Sequence, residues 1–412
     1  MLFVALACAV GSLAPASAQT TGDLFNGDVL HRVELWLHSQ DWEKLKQNFQ
    51  ENTYYPADFT WNGITVRNAG IRSRGLGSRS TTKPGLRVDI DRYASEQTFL
   101  GLKSFILDNL TQDASGVRET VTMKLFARLG IPAPREAHTR LYINGDYAGV
   151  YALVESVDKD LLARVFGEID GDVQNDGYLF EYDYDTNWRF DDLGSSLDPY
   201  KIKFDAQTHE DRSDTEKWQP IAELVRLINE TPLDRFKETV GERLDLTAAV
   251  RYIAAQNFVA ENDGVLGYAG VNNFYFYRLE NSSRHVFIAW DEDNAFMATD
   301  FALTTRHSEN VLMRRAMEVP ELRTLYYDTL NEAATSAAEA GPGEAPWLER
   351  EIRRQLDLID GAMRDDVARP YNLDDFAAAR SSMVAFASGR ISYVRCEVAR
   401  QTGRPVPAGC SQ

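Results

Sequence analysis

Three groups of polar residues in this chain have the types and spacing that chemistry uses. The first is basic. From Phe59 to Val88 there is no Asp or Glu, yet Arg67, Arg72, Arg74, Arg79, Lys83 and Arg87 are all present. Strand side chains alternate with period two, so Arg72 and Arg74 belong on one face. Gly75, Gly77 and the hydroxyls of Ser78, Ser80, Thr81 and Thr82 follow at once. A glycine loop lets amides approach oxygens while Arg or Lys supplies charge, which makes a phosphate cradle. A solvated basic face would have the same composition. The second group is Trp290-Asp291-Glu292-Asp293-Asn294, directly after the apolar run Val286-Phe287-Ile288-Ala289. Carboxylates leaving a strand end suit Mg²⁺, which takes one or two of them together with phosphate oxygens. The third group is Glu261-Asn262-Asp263 with Asn272-Asn273. Asp, then Asn, then a hairpin, then an acid is the order phosphoryl transfer uses. Asp263 would orient and deprotonate a hydroxyl, Asn272 or Asn273 would offer an amide oxygen to metal, and Asp291 would hold the metal at the phosphates. Turn capping is the competing role for Asp263 and the asparagines.

The elements that must carry these groups read as follows. Alternation predicts strands at residues 29–36, 57–61, 64–67, 70–74 and 86–90, a short apolar strand at 105–107, and a helix at 42–49. Ser115 is the expected cap of a helix over 117–129, stopped by Gly130 and Pro132. Asn144-Gly145 between residues 139–143 and 147–154 predicts a hairpin with a type I′ turn. Residues 156–212 read as acidic loops and 213–262 as helical. A second hairpin is expected at 273–278 and 284–290, and helices fill 308–395. The fold class is α+β: a β-rich N-terminal lobe with one key helix over residues 19–155, then a mostly helical lobe with the catalytic hairpin over 156–395. Residues 396–412 form a tail.

The chain has 412 residues, 44% of them hydrophobic and 26% charged, which is a globular composition. Lys and Arg number 44 against 62 Asp and Glu, a net charge of −18. A duplex-binding role is excluded on charge, since phosphate neutralisation needs a basic footprint. Residues 1–18 contain no charged side chain and end in Ala16-Ser17-Ala18, so they predict a secretory signal cleaved before Gln19. No Lys or Arg stands near Met1, where such signals usually carry one. Loss of Cys8 with the signal leaves Cys396 and Cys410, and an exported chain favours a disulfide between them. The six histidines are scattered without zinc-ligand spacing. No later run reaches the ~20 apolar residues a membrane span needs. The expected location is secreted, periplasmic or on the cell surface.

Several linked segments resemble the spore coat protein H (CotH) kinase family, an atypical branch of the protein-kinase-like fold. They are GIRSRGLGS from Gly70, TKPGLRVDI from Thr82, FLGLKSFILDN from Phe99 and DASGVRETVTMKLFARLGIP from Asp113. RLYINGDYAGVYALVESVDK from Arg140, NNFYFYR from Asn272 and FIAWDEDNAF from Phe287 extend the likeness across residues 28–395. The resemblance implies a bilobal fold and an exported kinase that transfers the γ-phosphoryl group of Mg²⁺-bound ATP to Ser or Thr. The partner it implies is a protein substrate, Ser-rich and basic. It places Asp291 and Asp293 at metal, with Asn272 or Asn273 assisting, and makes Asp263 the catalytic acid/base. Lys83 becomes the phosphate-contacting lysine and Glu119 its ion-pair partner. Glu155 falls beside adenine, and Arg72 and Arg74 beside phosphate. There is no GxGxxG loop, and Pro84-Gly85 breaks alternation directly after Lys83. Two other classes fit the same residues: an adhesion or interaction protein on a kinase-like scaffold, and a transferase of AMP.

Overall fold

Alternating apolar side chains between residues 31 and 155 build seven strands: β1 (His31–Leu37), β2 (Tyr55–Trp61), β3 (Ile64–Arg74), β4 (Gly85–Asp89), β5 (Ser104–Asp108), β6 (Glu136–Ile143) and β7 (Asp146–Glu155). They close into a barrel in the order β1-β2-β3-β4-β5-β7-β6, the parallel pair β1–β6 completing the circle. Closure removes the exposed edges that an open sheet would leave. Val33, Leu35, Phe59, Ile71, Leu86, Val88, Phe105 and Leu107 fill the interior. Phe59 meets Phe99 edge-on at 4.9 Å between ring centroids. The computed structural model describes residues 19–169 and 171–410. The expected signal at 1–18 lies outside the described residues.

Two local expectations change. The segments at 64–67 and 70–74 are one strand, β3, with a register irregularity opposite Ala57 and Phe59. Asn68 absorbs it with a φ of 56° and donates its amide to Asp58, a β-bulge that keeps both halves in the ladder. The key helix is α3 (Arg118–Arg128), following α1 (Thr21–Leu24) and α2 (Ser39–Gln47). Its start is held by Asp113 rather than Ser115. One Asp113 oxygen accepts from the Ser115 amide and hydroxyl, and the other accepts from Arg118 N at 2.8 Å. A carboxylate offers two acceptors and a charge that favours a helix N-terminus, so it displaces the hydroxyl. Asn144 and Gly145 both have positive φ, 52° and 90°, as a type I′ turn requires.

Beyond residue 155 come α4 (Lys159–Phe166), the short ladder β8 (Glu168–Ile169) with β9 (Asp172–Val173), β10 (Tyr178–Tyr182), α5 (Asp198–Lys203) and β11 (Phe204–Ala206). Next are α6 (Asp214–Glu230), α7 (Leu233–Gly241), α8 (Leu246–Phe258), and the hairpin β12 (Phe274–Arg278) and β13 (His285–Ala289). The chain ends with α9 (Val311–Glu318), α10 (Pro320–Ala338), α11 (Trp347–Asp365) and α12 (Leu373–Thr402). The acidic region is therefore not all loop. β10 and β11 add to the hairpin in the order β11-β10-β12-β13. Strands of five and three residues are too short to show a period, so only their pairing reveals them. A second apolar core joins α3, α8, this sheet and α9–α12. Cys396 and Cys410 are bridged, with Cα atoms 5.7 Å apart. No helix among the described residues is long and apolar enough to cross a membrane.

His138 on β6 is fully buried, its Nε2 2.6 Å from the Gly116 carbonyl. Burial is the main cause that pushes its pKa down to about 4. The stability that depends on its neutral form is complete above the unfolded value near 6.5 and is lost as pH falls toward 4. A His138→Gln variant keeps a donor for Gly116 and has no imidazole to protonate. Between pH 7 and pH 4.5 it should lose on the order of 2 kcal/mol less stability than wild type in chemical denaturation. Parallel curves for the two proteins would remove His138 from the acid response.

Candidate active site

The ends of β3 and β4 on the barrel wall face the four-stranded sheet across a cavity of about 610 Å³, within the usual range for ligand sites. Along β3, Ile71 and Ser73 are buried while Arg72 and Arg74 turn outward, as alternation requires. Arg87 on β4 lies directly opposite Arg72. All three arginines line the cavity. Arg72 is fixed by Tyr54 Oη at 3.2 Å and Asn52 Oδ1 at 3.0 Å. Arg74 lies over the Trp290 ring, 5.3 Å from its centroid, and 3.6 Å from Asp108 Oδ2. The Gly75–Ser78 turn also lines the cavity. A Cβ at Gly75, where φ is 106°, would stand 2.4 Å from Ser78 Oγ. Arg79 closes the turn by donating to the carbonyls of Gly75, Phe49 and Glu51.

The opposite wall is acidic. Asp263, Asn272, Asn273 and Asp291 line it with Glu181, Asp183, Asp205, Tyr275 and Trp290. Asp263 Oδ2 accepts from Asn272 Nδ2 at 3.2 Å. Burial raises the Asp263 pKa, and the Asn272 hydrogen bond and the nearby Arg306 oppose the rise. Asp291 follows β13 with a φ of 54°, turning the chain sharply where the strand ends. Burial and then the charge of Asp108 push its pKa up to about 7, with Arg74 pulling the other way. Asp293 is likewise raised, by burial and by Asp291, but does not line the cavity; its backbone carbonyl meets Arg118. Among the described residues no group of three His, Cys, Asp or Glu side chains stands ready to hold a metal ion.

Three expected residues are placed differently. Lys83 does not reach the cavity: its side chain is 2% exposed and its ammonium pairs with Asp366 Oδ2 at 2.7 Å. The Pro84-Gly85 break takes Lys83 out of the β4 alternation, and the side chain turns inward toward the end of α11. Glu119 therefore has no lysine partner there. It sits among Glu136, Asp291, Asp108 and Asp293, and burial followed by the Glu136 charge raises its pKa well above the usual range. Glu155 is 1% exposed and its oxygens are taken by Arg135 and Arg164, with contacts of 2.6 and 2.5 Å. No acceptor is left there to read an adenine edge. The sequence reading also missed Asp108, Glu181, Asp183 and Asp205. The last three come from β10 and the β11 edge, which only tertiary pairing reveals. Asp108 ends β5, and its place at a strand end was the available signal.

The family model described as CotH kinase protein matches residues 71–394. The inner spore coat protein H of Bacillus subtilis (strain 168) is 24% identical over 360 residues, spanning 84% of this chain and 92% of that protein. The crystal structure of a Helicobacter pylori proinflammatory kinase, CtkA, matches at 11% identity with a TM-score of 0.29, covering 77% of this chain and 95% of that one. That likeness is too slight to carry an argument.

Lys83→Met should unmask the structural role of the buried pair. Removing one member leaves Asp366 buried and uncompensated, at a cost of about 3–5 kcal/mol. Replacing both, as Lys83→Met with Asp366→Asn, should recover much of it, because the amide oxygen can still accept from Val150 N. If the cavity takes the ATP that the family resemblance implies, affinity in the folded Lys83→Met protein should stay within threefold of wild type, whereas Arg74→Met should weaken it at least tenfold. Denaturation curves and calorimetry read both quantities. Unchanged stability with lost ATP binding in Lys83→Met would return Lys83 to the cavity.

Proposed function

Because the chain belongs to the CotH kinase protein family, we propose that it is a Mg²⁺- and ATP-dependent protein kinase with two lobes, acting on secreted or surface proteins at Ser or Thr hydroxyls. One observation carries this reading: the arginines of β3 and β4 and the Asp263–Asn272–Asp291 set open into one cavity. A triphosphate needs cations along its oxygens, and Arg72, Arg74 and Arg87 supply them from one rigid wall. The acceptor hydroxyl needs a base on the far side. Asp263 is held by Asn272, and its raised pKa brings it closer to the working pH of a general base.

The donor set fits Mg²⁺. This ion takes one or two carboxylates and completes its shell with water and phosphate oxygens, so it needs no three-residue cage. Asp291 offers the carboxylate, and the amide oxygen of Asn272 or Asn273 a neutral ligand. Carboxylates crowded enough to raise one another's pKa values also favour a cation beside them. When bound, the ion offsets charge on the phosphate oxygens. Asp263 takes the hydroxyl proton as the acceptor O–P bond forms. The bond from the γ-phosphorus to the β,γ-bridging oxygen breaks, and ADP leaves.

Purified protein incubated with α- and γ-labelled ATP in parallel tests the reaction. Protein-bound label from γ alone supports a kinase, label from α marks AMP transfer, and no label with intact ATP binding marks an interaction protein. Asp263→Asn should fold and bind ATP, yet lose about 10²- to 10⁴-fold in kcat, as loss of a general base does. A merely turn-capping Asp would tolerate Asn, so near wild-type transfer would sink the assignment. Asp291→Ala should abolish the metal dependence of ATP binding. Equal affinity for both proteins with Mg²⁺ and with chelator would remove Asp291 from the metal.

A further inference from the structure

Asp263 and Asp291 lie on separate segments, one after α8 and one after β13. A buried amide, that of Gln256, bonds to both segments. Gln256 is on the last turn of α8 and is 4% exposed. Its Oε1 accepts from the Val265 amide at 3.1 Å, inside the segment that bears Asp263. Its Nε2 donates to Glu292 Oε1 at 2.8 Å, on the residue that follows Asp291, and lies 2.9 Å from Tyr252 Oη. One primary amide offers two donors and an acceptor, and here all are used. Tyr252, one helical turn earlier on the same face, donates to the same Glu292 oxygen at 2.8 Å. Glu292 is fully buried, so it cannot trade these donors for water.

The Asp263 side of the clamp is equally tight. A Cβ at Gly264 would stand 2.3 Å from Gln256 Nε2, so glycine is what lets the loop approach. Glu261 adds a hold on the same loop by accepting from the Asp263 amide at 2.6 Å.

We infer that Gln256 is the positioning residue of this site, joining the segments of Asp263 and Asp291 through Val265 and Glu292 and so fixing the distance between base and metal ligand. The inference rests on the phosphotransfer reading for its catalytic consequence, but not for the clamp itself. Small misplacements of reacting groups, near 1 Å, can cost about 10²-fold in rate.

The test uses Gln256→Met, which keeps volume and loses the hydrogen bonds, Gln256→Glu, which replaces the amide donor with a second buried carboxyl, and the swap Gln256→Glu with Glu292→Gln, which restores an amide–carboxyl pair. Gly264→Ala displaces the loop without removing a polar group. Transfer kinetics on intact protein should show kcat lower by about 10²-fold in Gln256→Met, Gln256→Glu and Gly264→Ala, with KM for ATP within threefold. The swap should recover at least a tenth of the wild-type kcat. Hydrogen exchange, which needs no activity, should show faster exchange in Gln256→Met both at residues 261–273 and at 291–296. Exchange unchanged in either segment overturns the clamp. Exchange raised in both with kcat intact overturns the positioning role. If wild type transfers no label, the kinase reading falls, while the exchange data still decide whether Gln256 joins the two segments.

Discussion

Arg74 carries its charge into a ring of carboxylates contributed by elements far apart in the chain. Asp108 comes from the end of β5, Glu181 from β10 and Asp291 from the turn after β13, and all three charges act on it. Bringing such groups together without a cation would be strongly unfavourable in a partly desolvated cavity. The guanidinium lies over Trp290, where a planar, weakly hydrated cation is suited to both an aromatic face and carboxylates. Arg74 thus links the barrel wall to the acidic sheet across the cavity, beside the apolar core that β5 and β7 share with that sheet. A bound polyphosphate would compete for the same guanidinium, so the resting acidic ring and an anionic ligand are linked by charge.

A second cation, fully buried, joins the barrel to the end of α11. Asp366 accepts from Lys83 Nζ, from Val150 N at 3.0 Å and, through its other oxygen, from Ala368 N at 2.8 Å. These three donors repay much of the desolvation of the buried pair. Gly149 permits the approach, since a Cβ there would lie 2.5 Å from the carboxylate. The start of β4, the middle of β7 and the end of α11 are pinned at one point. This pin orients β4 and with it Arg87. Lysine is used for structure and arginine for the open cavity, in keeping with arginine's fixed fork of donors.

The helical half serves the site through α8. Its C-terminal turn holds the loop of Asp263 and the turn of Asp291 through Gln256. Arg390 of α12, fully buried, secures the same turn by donating to the carbonyls of Asn257 and Phe258. A guanidinium whose donors go to four backbone carbonyls and the Asn257 side-chain oxygen replaces solvent that cannot reach this depth. The carboxylates that do the proposed chemistry therefore project from loops, while each loop is tied to a rigid helix. That arrangement gives chemical groups access and leaves little freedom in their spacing.

The sequence by itself determined what local pattern can encode. Alternation set the outward face of Arg72 and Arg74, and Asn144-Gly145 set a turn. The order Asp263, Asn272, hairpin, Asp291 is legible in the chain, and folding brings these three residues to one cavity. Partners distant in sequence decided the rest. Lys83 took a carboxylate 283 positions away, Glu155 was claimed by Arg135 and Arg164, and Glu119 came to face like charges. β10 and β11 acquired their identity only by pairing, and they brought Glu181, Asp183 and Asp205 to the cavity. The reason is physical: periodicity fixes which face a side chain leaves from, but the charge it meets, and hence its role, depends on which elements pack opposite that face.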